Sequence, residues 1–122
     1  MIRILCFLVL FTSGCSDEIS SLPGGFKFIY EGPSDSVIIH ESDESIVISC
    51  SISDFKFDSK YILIKQKKEK ECFWVSPYMH LQKIGGYYYW VIEVGSKKVI
   101  GPLSKEDFIN FKKGLNTKLI LN

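Results

Sequence analysis

The most regular stretch of the chain is residues 45–53, SIVISCSIS, in which Ile46, Ile48, Cys50 and Ile52 alternate with Ser49, Ser51 and Ser53. A period of two places one set on each face, which predicts a half-buried strand with the apolar set turned inward. The runs FKFIY (26–30), VIIH (37–40), KYILIKQ (60–66) and YYYWVIEV (87–94) read as further strands, with Phe55 and Phe57 on one side of another and a turn at Asp58-Ser59. The last of them is aromatic and β-branched throughout, and GSKK then makes a hairpin turn into VIGPL. The lysine-rich KQKKEKE (65–71) reads as the solvated end of a strand plus a loop, and the acidic HESDES (40–45) as a solvated turn.

The pattern then changes to that of a helix over 105–113. Ser104 is the N-cap candidate, Glu106 and Asp107 suit the positive end of the dipole, and Lys112 and Lys113 suit the negative end. Leu103 and Phe108 are spaced as a hydrophobic staple, Phe108 and Phe111 share a face, and Gly114 stops the helix, with KLILN as a candidate final strand. The expected fold is α+β: a single antiparallel, meander-like sheet with a short C-terminal helix packed on it.

The first residues follow another plan. Arg3, the apolar run Ile4 to Phe11, and the small residues Thr12, Ser13 and Gly14 are laid out as a secretory signal. The run is too short for a bilayer span, which takes about 20 apolar residues. The residues TSGC resemble the lipobox of bacterial lipoproteins, in which a signal peptidase cuts before a cysteine that then carries diacylglycerol and an N-acyl chain such as palmitate. The resemblance implies cleavage after Gly14 and lipidation of Cys15, with Thr12 departing from the usual leucine. The protein is then expected in the bacterial cell envelope, anchored to a membrane, the outer one in a Gram-negative cell. The expected divisions are a signal over 1–14, a lipidated cysteine and polar tether over 15–24 that ends in Pro-Gly-Gly, and one globular domain over 25–122.

Composition alters this picture in two ways. Removal of the signal leaves 108 residues, enough for one domain. It also removes the only arginine and leaves 14 lysines against 14 acids. A neutral chain without the guanidinium fork is poorly suited to nucleic acid. Cys50 and Cys72 are the two cysteines left, and they have two readings: a disulfide worth roughly 3 kcal/mol by loop closure, or two small buried hydrophobes. A strand near 60–66 lying between them in one sheet would hold them too far apart to bond.

Candidate chemistry is sparse. His40 and His80 are far apart, no Cys-x-x-Cys occurs, and no metal or cofactor is expected. No nucleophile motif is present, and the expectation is a non-enzymatic protein. Glu93, inside WVIEVG, is the acid to watch for an alternative, glycan binding or hydrolysis. The remaining signal is aromatic. Trp74, Tyr78, Tyr87 and Tyr89 fall close together, and Tyr and Trp are enriched at protein interfaces, so these four are the candidate contacts for an envelope partner; packing of a small β-domain is the other reading.

The elements LPGGF, KYILIKQ, YYYWVIEV and KKVIGPLSKEDF, in this order after a lipobox, resemble a family of small bacterial lipoproteins known only as a domain of unknown function. The resemblance implies the anchor and a strand-rich fold, and it carries no catalytic residues. An immunity- or inhibitor-like or accessory role is the kind of function such a protein fits.

Overall fold

The computed structural model of the protein describes residues 18–32, 34–42, 46–68 and 86–122. Eight strands and one helix follow in order: β1 (Glu18–Ser21), β2 (Phe26–Tyr30), β3 (Ser36–His40), β4 (Ile46–Ser49), β5 (Ile52–Phe57), β6 (Tyr61–Lys67), β7 (Tyr87–Glu93), β8 (Lys98–Leu103) and α1 (Lys105–Lys113). They form an α+β domain, but with two antiparallel sheets, β1-β2-β3-β4 and β5-β6-β7-β8, where the sequence suggested one. Each sheet is a meander of consecutive neighbours.

The reason for two sheets lies inside the stretch that reads as one strand. Cys50 and Ser51 have φ of 78° and 53°, a left-handed conformation that costs an ordinary L-residue roughly 1–2 kcal/mol. The two-residue corner turns the chain out of the first sheet and into the second. Ile48 and Ile52 still reach the same apolar core, but they arrive from opposite sheets.

Part of the stretch expected as a tether is folded. Residues 18–21 are strand β1, paired with β2 in the register Ile19↔Ile29, and the Pro-Gly-Gly turn is a short 3-10 turn, Pro23–Gly25, between them. Gly24, at φ 75°, touches the second sheet so closely that a Cβ there would stand 2.6 Å from Val94 Cγ1. Further along β2, Phe28 packs on Phe55 of β5 with ring centroids 4.7 Å apart. Strand β2 therefore runs across the second sheet from the end of β7 to β5.

Burial organises the domain in three layers. Leu22, Phe26, Ile38, Ile48, Ile52, Ile62, Ile64 and Ile92 fill the space between the sheets. Leu63, Tyr89, Val91, Phe108 and Leu121 form a second core, between the other face of the second sheet and the α1 layer. Full burial of a side chain such as Phe108 contributes about 1.5–3 kcal/mol. The helix begins as its residues require, Ser104 Oγ accepting from Asp107 N at 3.1 Å; it ends at Gly114, whose N donates to Phe111 O, but with φ -83° rather than in the left-handed conformation of a glycine cap. KLILN is not a strand. Residues 115–121 lie back over the sheet without ladder partners, with Leu115, Thr117, Leu119 and Leu121 turned inward and Asn116, Lys118 and Ile120 outward. One long-range bond, Thr117 Oγ1 to Asp58 Oδ2 at 2.7 Å, ties this segment to the β5–β6 turn.

Candidate functional site

Between α1 and the returning segment 115–121 lies an open groove of about 360 Å³, lined by Phe108, Ile109, Leu115 and Leu121 with Lys112, Lys113 and Thr117. Its shape follows from the local sequence. Phe108 is drawn inward by stacking on Tyr89, 4.8 Å between centroids and 19° between planes, which leaves Ile109 one position round the helix and 43% exposed. The helix ends at Lys113, the chain reverses, and the alternation of residues 115–121 builds the other wall. Ile120 is 69% exposed on the outer side of that wall. The two lysines fall in the last turn of α1, so the groove joins an apolar floor to positive charge, a combination suited to an acidic segment that carries apolar side chains.

A second feature stands on the same side of the second sheet. Tyr87 is 41% exposed, and Lys65 Nζ sits over its ring, 4.1 Å from the centroid. Tyr89, two positions along and on the same strand face, is only 3% exposed beneath Phe108. The pair expected to act together is thus divided: the helix covers Tyr89 and leaves Tyr87 at the surface. Trp74, Tyr78, Cys72, Gly14 and Cys15 lie outside the described residues.

Glu93 stands beside the β7–β8 turn, where its carboxylate accepts from Ser96 Oγ at 2.9 Å. It is half-buried, and the apolar setting that drew attention to it in the sequence belongs to its neighbours Val91 and Ile92. His40 is engaged structurally: Nε2 donates to Gly24 O at 2.9 Å, and Nδ1 accepts from Ser42. Among the described residues no three His, Cys, Asp or Glu side chains gather as metal ligands.

Cys50 is disulfide-bonded. Its Sγ is 3.3 Å from Ser34 O, a contact rather than a donated bond, because a bridged sulfur carries no proton. It occupies the corner between the sheets rather than a position inside a strand.

Sequence reasoning missed Gln66. In the lysine-rich run it reads as solvated, yet it is 1% exposed. Its Nε2 donates to Ser49 O at 2.7 Å and Cys50 O at 2.8 Å, while Oε1 accepts from Trp90 Nε1 at 2.9 Å. Only one orientation of the amide satisfies two carbonyls and an indole N–H together. The available signal was its place in the alternation with Ile62 and Ile64.

These features define a small α+β domain, two antiparallel sheets that share a core, with a helix-walled groove on one side. The chain belongs to the family described as Protein of unknown function (DUF3997), whose model matches residues 23–121. No curated protein and no solved structure matches it.

Proposed function

We propose that the protein is a lipid-anchored binding module of the bacterial cell envelope, without catalytic activity, which holds another envelope protein on the helix-bearing side of its second sheet. The anchor rests on the ordered signal and the TSGC lipobox. With Cys6 removed in the signal and Cys15 carrying lipid, Cys72 is left as the partner of Cys50.

The observation that carries the binding reading is the groove, with Ile109 exposed beside Lys112 and Lys113. Its partner presents an acidic segment with at least one large apolar side chain, and Tyr87 with Lys65 adds an aromatic contact at the rim. The glycan alternative draws less support, since Tyr89 is covered and Glu93 is occupied by Ser96.

The test is mild cross-linking of the full chain in its own membrane, with Ile109→Asp and Tyr87→Ala compared against wild type. Ile109 is exposed, so the aspartate leaves the fold intact while it sets a charge on the groove floor. One stoichiometric partner lost with Ile109→Asp, and weakened with Tyr87→Ala, is the expected result. A partner retained by both variants, or no stoichiometric partner, rejects the reading.

A further inference from the structure

Strand register assigns the two faces of the first sheet. Phe28, Ile38 and Ile48 stand opposite one another on the inner face, in the core. Ile19, Ile29 and Val37 stand opposite one another on the outer face, and Lys27 with Ile39 forms the next row. Directly opposed residues of antiparallel strands share a face. Ile19 is 61% exposed, while Ile29, Val37 and Ile39 are half-buried and belong to neither core. Val37 also stands opposite Ser49, which is 6% exposed, so this face is closed at its β4 edge; among the described residues, no element covers the row from Ile19 to Val37.

The start of β1 says what does. Only residues 16 and 17 separate Cys15 from Glu18, and three residue steps of extended chain reach about 10 Å at most. The edge strand of this sheet, and Ile19 on it, therefore stand at the membrane surface once Cys15 carries lipid. We propose that the outer face of the first sheet lies on the phospholipid bilayer, with Ile19, Ile29, Val37 and Ile39 at the interface, so that α1 and its groove point away from the membrane. The inference rests on the lipid anchor proposed above.

The charges near this face bear on its mode of contact. Lys27 is paired with Glu41 at 3.8 Å, and Glu18 and Glu31 stand exposed near the start of β1 and the end of β2. Attraction to anionic lipid is not what holds the sheet down. Apolar contact is, and it persists in high salt and on zwitterionic vesicles.

The experiment uses the full chain, exported and processed in a bacterial host, then reconstituted in phosphatidylcholine vesicles that contain spin-labelled lipid. Detergent phase partition reports the anchor first. A fluorophore is attached through Val37→Cys, through Lys27→Cys on the neighbouring row, or through Ile109→Cys on the opposite layer. Val37 is the informative position, since it lies two strands, about 10 Å, beyond Ile19 and is not brought to the lipid by the tether alone. Lys27, whose side chain is 38% exposed, supplies the same reading from a site that tolerates change.

Lipid quenching at 37 and 27 several-fold stronger than at 109, unchanged by salt, is expected. An anchored protein quenched no more at 37 and 27 than at 109 overturns this inference and leaves the anchor standing. A protein that stays in the aqueous phase overturns the anchor, and the inference with it.

Discussion

Replacement of Gln66 by Leu tests how the two sheets are held at their corner. Leucine fits the volume but supplies neither donor nor acceptor, so three bonds of 2.7, 2.8 and 2.9 Å disappear together. The carbonyls of Ser49 and Cys50 and the indole N–H of Trp90 are left without that partner, in a place where Gln66 itself is 1% exposed. A buried group stripped of its partner costs about 1–3 kcal/mol, and greater apolar burial by leucine offsets part of the sum, which gives a net loss of about 3 kcal/mol. For a domain of this size that lowers Tm by roughly 12–24 °C. Urea unfolding with the disulfide intact, followed by tryptophan fluorescence, measures the loss at constant m-value. Trp90→Phe removes only one of the three bonds and is expected to cost about 1 kcal/mol, and the double variant to be less destabilised than the sum of the two. A loss below about 1 kcal/mol for Gln66→Leu would refute the reasoning, because the corner carbonyls would then have satisfied themselves by other means.

Tyr88 is 4% exposed and its hydroxyl has no hydrogen-bond partner among the described residues, so Tyr88→Phe is expected to leave stability unchanged or raise it by about 1 kcal/mol by urea unfolding; a loss would mean that the hydroxyl is satisfied. Burial also raises the Tyr88 phenol above its ordinary 10.0, so the native state holds this proton longer than the unfolded chain. Its contribution is complete below pH 10 and is lost as pH climbs through the raised value, a decline that Tyr88→Phe removes. The Thr117 hydroxyl, with the amides of Lys60 and Tyr61 and the Lys60 charge, holds Asp58 below 3.8 against the opposing effect of desolvation. Its contribution is therefore present above that pH and disappears as pH falls through the lowered value; Thr117→Val is expected to destabilise the protein at neutral pH, with a gap to wild type in urea titrations that narrows as pH falls below 3.8.

Periodicity located most of the strands, the β7–β8 hairpin and the capped helix, because each depends on residues close in sequence. Ser104, Glu106, Lys112 and Gly114 specify α1 through bonds and charges within a few positions, and the structure has the cap bond and helix that they imply. What local pattern did not carry was the partner of each face. Tyr87 and Tyr89 are equivalent in alternation, and only the descent of Phe108 onto Tyr89 separates them. The groove has the same origin: Ile109 shares it with two lysines because the chain reverses after α1, and residues 115–121 hold their place through the bond from Thr117 to Asp58, 59 positions away.

The corner shows most directly why one sheet was expected and two exist. Alternation assigns Ser49 and Ser51 to water because serine is polar, yet they are 6% and 2% exposed. Burial of both faces of a strand usually demands apolar residues on both; here backbone bonds replace them. Cys50 N donates to Ser36 O at 2.8 Å, Lys67 N to Ser51 O at 2.9 Å, and Ile52 N to Ser36 Oγ at 2.7 Å. Left-handed Cys50 and Ser51 aim these groups at β3 and β6, and small side chains let those strands approach. A larger apolar residue at Ser36 or Ser51 would strengthen the alternation and fill the space that the ladder bonds need. The serines are thus selected by the corner rather than by solvent, and a pattern of polar positions at a sheet-to-sheet crossing is the same string of letters as an exposed strand face. The two cases differ in what lies opposite: Gln66, read as a solvated residue among lysines, is the side chain whose amide matches the corner carbonyls.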